Sequence, residues 1–270
     1  MNRYEMFDPR TIRNKTTQAT ILPLRGGLVV SFAVSGRELL YCEPETVLDT
    51  AREVRGGIPI LFPACGRLQE GTYDTVPKHG FARSRAWEVV EEREDTLTLA
   101  LKSNPETLAQ FPHPFVFTQT YRVDDGKLVL IQCIENTGES PLPFSLGFHP
   151  YFKVDPKVAT ASVPSDRYED TTGKYAFDGT FAFCNDYDSV CTNTDTTASV
   201  LETGCGVKIS VSASDAFGYT VVWSPSGAQF ACIEPWTAPP NALNTGKDVI
   251  TLAPGACAEF EFVISAAKSV

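Results

Sequence analysis

Proton transfer near neutral pH needs a side chain whose charge can change there, and the chain holds only three histidines, His79, His113 and His149. His149 lies in the run FSLGFHPYFKV, numbered 144–154, among apolar and aromatic residues and directly before Pro150. A lone histidine in an apolar run is ordinarily a buried, hydrogen-bonded core residue. The setting here argues for more: a strand ends at Gly147, and a histidine, a proline and aromatics follow. Such a rim could stack aromatic faces on a sugar ring. The natural counterpart is Glu234, which closes the apolar run FACI and precedes Pro235 and Trp236. A carboxylate at the end of a buried strand is partly desolvated, which raises its pKa and makes it a better base near pH 7. Its plainer alternative is a solvated or arginine-paired strand end.

His79 sits in VPKHGFARSRAW, a loop marked by Pro77 and Gly80 and flanked by cations. It reads either as a solvated loop histidine or as a functional one. His113, held between Pro112 and Pro114, reads as structural or exposed, and Glu135 as an ordinary strand end before a turn. From Ala51 to Arg85 six cations (Arg52, Arg55, Arg67, Lys78, Arg83, Arg85) face three acids, in a chain whose formal net charge is −10. This is either a solvated surface with scattered pairs or an anion pocket. Arginine binds phosphate through paired hydrogen bonds, and Gly56 and Gly57 would let a ligand approach the backbone.

The elements that must position these groups are short strands. Runs 27–33, 38–41, 87–90, 96–101, 115–123, 127–135, 207–212, 220–223, 230–233 and 258–264 have strand character, and Asp124-Asp125-Gly126 marks a hairpin turn. One short helix is expected over 104–111, ended by Pro112 and Pro114. Residues 155–206 are the least regular part and are expected to form loops over one face. Strands without alternating helices predict an all-β chain, a large antiparallel β-sandwich, with 1–270 as a single domain.

The totals exclude several classes. The acidic balance argues against nucleic acid as a partner. No apolar run reaches the roughly 18 residues of a membrane helix, and the polar N-terminus shows no signal peptide. The eight cysteines are widely and irregularly spaced, without a CxxC pair, and read as reduced thiols of a cytoplasmic protein. No metal site is expected, since the histidines lie apart from cysteine pairs. No nucleotide or redox cofactor is expected either, because no GxGxxG or P-loop occurs.

Four strings, RGGIPILFP (55–63), KHGFAR (78–83), GFHPYF (147–152) and CIEP (232–235), taken together resemble the aldose 1-epimerase family. More narrowly they resemble its glucose-6-phosphate 1-epimerase branch. The resemblance implies the galactose mutarotase-like supersandwich, interconversion of sugar anomers, a small sugar or sugar phosphate as the partner, and no cofactor. A monomer or weak dimer is expected. It implies His149 as general acid at the ring oxygen, Glu234 as general base at the anomeric hydroxyl, and His79 as a sugar-binding histidine near the same centre. Arg55 and Arg83 fall on positions that hold a substrate phosphate. Lys78 stands where some relatives carry glutamine. Asp188 matches a sugar-binding aspartate, although Ser189 follows it where the family often has arginine. After Glu234 this chain reads PWTAPPNALNTG where many relatives have PG, so Trp236, Asn241 and Asn244 are expected to shape the pocket differently. The competing readings are a free-aldose mutarotase and a non-catalytic sugar-binding protein on the same fold. A polysaccharide lyase or glycosidase accessory domain is weaker, because such domains usually come attached to other modules.

Overall fold

In Phe115–Asp124 burial alternates residue by residue, so Phe115, Phe117, Tyr121 and Val123 turn into the core while their neighbours turn out. The chain reverses at Asp125-Gly126, where Gly126 adopts φ 68°, and Asp124 pairs with Lys127 at the start of Lys127–Asn136. A two-residue hairpin needs positive φ, which glycine adopts without steric cost. The computed structural model describes residues 3–268. It extends this hairpin by antiparallel pairing into a nine-stranded sheet. An eight-stranded sheet runs from Gly173–Ala176 through Arg167–Asp170, Tyr187–Thr192, Tyr219–Ser224, Phe230–Trp236 and Gly147–Phe148 to Ile60–Leu61, with Tyr151–Lys153 paired to Phe230–Trp236. The protein is therefore an antiparallel all-β sandwich. Arg10–Arg13, Thr17–Leu22, Leu28–Val34 and Arg37–Glu38 add a smaller sheet, whose first two strands were not anticipated.

The main core gathers Phe148, Phe152, Val222 and Ile233 from the eight-stranded sheet and Phe117 and Phe262 from the nine-stranded one, together with Phe62 and Phe144. Each fully buried side chain of this size contributes about 1.5–3 kcal/mol of transfer free energy. The expected helix forms as Pro105–Gln110. Asn104 caps it, its side chain accepting from the Glu106 and Thr107 amides.

One expectation fails. Residues 155–206 contain six strands, Thr160–Ser162, Arg167–Asp170, Gly173–Ala176, Thr180–Ala182, Tyr187–Thr192 and Ser199–Glu202, which extend both large sheets. They are three to six residues long and mostly polar on the exposed side. That is too short for period-2 alternation to stand out from a loop.

The register of the eight-stranded sheet decides which residues share its outer face. Trp236 lies opposite Tyr219, which lies opposite Thr192. One row along, Glu234 faces Val221 and Val221 faces Val190. In the next row Tyr151, Cys232, Trp223 and Asp188 follow one another across four strands. The opposite faces of the same strands send Ile233 and Val222 into the main core. Phe230–Trp236 is buried on both faces, which is why its sequence reads as an unbroken apolar run with one carboxylate in it.

Candidate active site

Glu234 is 1% exposed and stands on this outer face between two small apolar clusters. One holds Leu61, Cys65, Tyr219, Val221 and Trp236, and the other Tyr151, Phe230 and Cys232, with Tyr41 and Trp223 packed against it. His149 follows Gly147–Phe148, and its amide donates to the Pro59 carbonyl at 3.0 Å. Its Nε2 lies 3.3 Å from Glu234 Oε1. The imidazole stacks on Tyr151 at 4.7 Å between centroids and 10° between planes, and meets the edge of Trp223 at 5.7 Å. Its Nδ1 is buried without a hydrogen-bond partner among the described residues.

His79 closes the pocket from the loop side. Its backbone takes φ 65°, and its amide donates to the Gly66 carbonyl at 2.7 Å. The Gly66 amide donates in return to His79 Nδ1 at 3.1 Å. Nδ1 is therefore an acceptor, which leaves the proton on Nε2. The His79 ring meets both His149 and Trp236 edge-on, each at 5.6 Å. Gly80 must be glycine, because a Cβ there would sit 2.0 Å from the Phe62 carbonyl oxygen.

Burial dominates the electrostatics. It pushes the Glu234 carboxyl well above its ordinary value, with the Asp188 charge adding to the rise. The Trp236 indole N–H, donating to Glu234 Oε2 at 3.2 Å, opposes the shift, as do the charges of Lys78 and Arg83. The His149 imidazole is pushed down to about 3, first by burial and then by Arg83 and Lys78. His79 is lowered by burial and by the neighbouring positive charges. Desolvation disfavours whichever form is charged, so the two partners move in opposite directions. Sγ of Cys232 lies within 4.8 Å of the nearest ligand atoms of His149 and Glu234, and burial raises that thiol's pKa well above its ordinary value.

The remaining candidates stand at different distances from this pair. The Arg55 guanidinium lies over the Trp223 ring at 5.9 Å. Asp188 is exposed in the same row as Trp223 and Cys232. Arg83 Nη2 is bonded to Glu53 at 3.1 Å and to the Lys78 carbonyl at 2.9 Å. The Lys78 side chain is exposed on the rim. Asn241 and Asn244 bond to Gln69 and to the Tyr73 amide, so they brace the loop at 69–73. His113 accepts or donates a bond with Tyr73 Oη at 3.0 Å, away from the pair. Sequence reasoning missed Tyr151, Trp223, Cys232 and Glu53. Tyr151 and Cys232 had a local signal, lying two residues beyond His149 and two residues before Glu234.

Among the described residues no helix is long and apolar enough to cross a membrane. The sequence model of the aldose 1-epimerase family matches residues 10–265. A Cenchrus ciliaris protein named "putative glucose-6-phosphate 1-epimerase" is 33% identical over 144 residues, which are 48% of this chain and 42% of that protein. The chain spans about half the length of the curated relatives it matches. The solved structure of the Slr1438 protein from Synechocystis sp. PCC 6803 superposes with a TM-score of 0.91 at 32% identity, covering 97% of this chain and 96% of that one. A galactose mutarotase related enzyme from Lactobacillus acidophilus shares the fold, with a TM-score of 0.82 at 21% identity over 97% and 98% of the two chains.

Proposed function

Because the chain belongs to the aldose 1-epimerase family, we propose that it interconverts the α and β anomers of a hexose, and that its substrate is a hexose 6-phosphate such as glucose 6-phosphate. The observation that carries the reading is the contact of His149 Nε2 with Glu234 Oε1 at 3.3 Å, in a buried pocket walled by Tyr151, Trp223 and Trp236. We read residues 1–270 as one domain serving this site, supported by a main core that runs from Ile12 to Ile264.

Mutarotation needs a base at the anomeric hydroxyl and an acid at the ring oxygen. With no sugar bound, desolvation opposes charge on both partners, so the pair rests as an imidazole and a carboxylic acid sharing one proton. Moving that proton from Oε1 to Nε2 creates the working state, a carboxylate beside an imidazolium. The Trp236 N–H on Oε2 favours this state. So does a sugar whose 1-hydroxyl donates to Glu234 and whose ring oxygen accepts from His149. Glu234 then takes the hydroxyl proton, the bond from C1 to the ring oxygen breaks, and His149 protonates that oxygen. The product is the open-chain aldehyde. Rotation about the C1–C2 bond presents the other face of the carbonyl, and the same transfers in reverse close the ring. Each positioned proton transfer is worth roughly 10²–10⁴-fold. His79, neutral and with its proton on Nε2, serves as a hydrogen-bond donor to the sugar. Asp188 binds a hydroxyl further along the row.

Arg55 and Arg83 are assigned to the phosphate, supported by the cation-rich stretch 51–85 and by the name of the Cenchrus ciliaris relative. One observation favours a free hexose instead: Arg83 already bears Glu53. Anomer exchange followed by NMR on glucose and glucose 6-phosphate tests both points. His149→Ala and Glu234→Gln should each lower the catalysed rate at least about 10²-fold, and Arg83→Ala should lower only the preference for the phosphorylated sugar. Unchanged rates in both pair variants would end the mutarotase reading. An unchanged substrate ratio in Arg83→Ala would end the phosphate assignment.

A further inference from the structure

Cys232 is a buried nucleophile that anomer exchange leaves unused. The sheet register brings it to the pair. Cys232 lies opposite Tyr151, and His149, two residues before Tyr151, stacks on that ring. Glu234 follows Cys232 by two positions on one strand, so both side chains leave the same face. Three donor atoms of different kinds converge there: a ring nitrogen of His149, Cys232 Sγ and a Glu234 carboxylate oxygen, all within 4.8 Å of one another. No spacing of histidines and cysteines in the sequence announces this group, because the histidine comes from a different segment of chain than the other two donors.

The distances suit a small tetrahedral ion. Bonds of about 2.0–2.1 Å from zinc to nitrogen and oxygen put two tetrahedral ligands about 3.3–3.4 Å apart. His149 Nε2 already stands 3.3 Å from Glu234 Oε1. Sulfur, with its bond of about 2.3 Å, belongs about 3.6 Å from either, so Sγ has little more than an ångström to close. The donor set is also selective. Thiolate and imidazole suit zinc and its softer neighbours, whereas Mg²⁺ and Ca²⁺ take oxygen. Charge balances as well: the Cys232 thiolate and the Glu234 carboxylate cancel the two charges of the ion. The thiol proton and the proton that the pair shares leave to solvent, so no net charge is buried. The Trp236 N–H holds Oε2 at 3.2 Å and leaves Oε1 toward the histidine. Affinity is limited at His149, whose Nδ1 has no hydrogen-bond partner among the described residues. A ligand histidine without that support binds roughly 10–100-fold more weakly. Three protein ligands and an open fourth position make such an ion removable, unlike a structural zinc.

We propose that His149, Cys232 and Glu234 form a binding site for a thiophilic divalent cation, Zn²⁺ first, and that the ion switches anomer exchange off by occupying both members of the proton-transferring pair. With Nε2 and Oε1 on the metal, neither is free for the ring oxygen or the anomeric hydroxyl. The metal site is read from the three donors, and only its inhibitory consequence rests on the mutarotase reading.

Cobalt(II) added to the chelator-treated full chain under reducing conditions reads the site without any activity measurement. One equivalent should bind and give a thiolate-to-cobalt charge-transfer band in the near ultraviolet, which added Zn²⁺ abolishes. Cys232→Ser should lose that band and weaken Zn²⁺ at least about 100-fold, since loss of an outer partner alone costs roughly 10–100-fold. Serine keeps the side-chain volume, and thermal melts check folding; Cys232→Ala takes its place if the serine variant does not fold. In the NMR exchange assay, saturating Zn²⁺ should bring the wild-type rate down to the uncatalysed one, and a chelator should restore it. At the same Zn²⁺ concentration Cys232→Ser should keep its own zinc-free rate. Binding without the thiolate band, or a Zn²⁺ affinity unmoved by the Cys232 substitution, would overturn the site. Bound Zn²⁺ that leaves catalysed exchange intact would overturn the switch. Failure of the mutarotase reading shows separately, as a zinc-free chain that does not accelerate exchange while the cobalt band persists.

Discussion

Replacing Trp236 by phenylalanine removes one atom group that the site uses, the indole N–H on Glu234 Oε2 at 3.2 Å, and keeps an aromatic ring near His79. That bond is the largest influence opposing the rise that burial imposes on the Glu234 carboxyl. A hydrogen bond to a charged group is worth about 1.5–3 kcal/mol, and a neutral donor at 3.2 Å belongs at the lower end. At 1.36 kcal/mol per pKa unit, its loss should move the carboxyl up by about one unit. The sign follows from which form is bonded: the N–H stabilises the carboxylate, so removing it favours the acid and raises the pKa. The alkaline limb of kcat/KM, where the pair of the free enzyme loses its shared proton, should therefore shift about one unit toward higher pH. Below the limb the variant should be about tenfold slower than the parent, and above it the two should converge. The assay is the pH profile of anomer exchange, with the uncatalysed rate subtracted at each pH. A loss of equal size at every pH, with an unmoved limb, would refute the reasoning and make Trp236 only a wall of the pocket.

Two further outcomes follow from the geometry. Gly147→Ala would place a Cβ 2.8 Å from Cys65 Sγ and 2.9 Å from Trp236 Cδ1. Urea unfolding should show a loss of about 1–3 kcal/mol from overpacking, with reduced kcat/KM because Trp236 must move; full stability and full activity together would contradict the packing. Stability should also fall as pH drops below about 6.5. His149 is held down to about 3 and His79 is also lowered in the folded chain, so in this range each binds a proton only in the unfolded chain. The Glu234 carboxyl, raised by burial, keeps a proton only in the folded chain and offsets one of the two, which leaves about 1.4 kcal/mol lost per pH unit crossed. His149→Gln should flatten that slope in urea titrations from pH 7 to 5, and an unchanged slope would show that His149 is not held neutral.

Much of the sandwich was legible because its central strands are long enough to show their period. Phe115–Asp124 gives ten residues of alternation and Lys127–Asn136 an apolar return strand of the same length, joined by a turn that demands glycine. Residues 155–206 were not legible for the complementary reason. Strands such as Thr180–Ala182 owe their existence to pairing with Thr160–Ser162 rather than to any local preference. Short edge strands are decided by partners far away in sequence, and a period of two cannot be recognised within three residues.

The candidate site divides along the same physical line. His149 and Glu234 stood out because a titratable group in an apolar run is a local anomaly, and burial is the local consequence that tunes both. What encloses them is not local. Tyr151, Cys232, Trp223 and Asp188 become neighbours only through the register of four strands, in which a slip of one residue would turn Trp223 and Glu234 toward opposite faces. Trp236 shows the difference most directly. Its position after Glu234 marked it as a residue that shapes the pocket, yet its contribution to the charge of that carboxylate depends on where a strand places one N–H. Arg83 carries the same lesson for the anion side. Its residue type suggests a phosphate ligand, whereas its availability is set by Glu53, thirty residues earlier, on a loop held by a buried arginine. Residue types thus define the reactions open to this pocket, and the register and loop anchors decide which groups are free to take part.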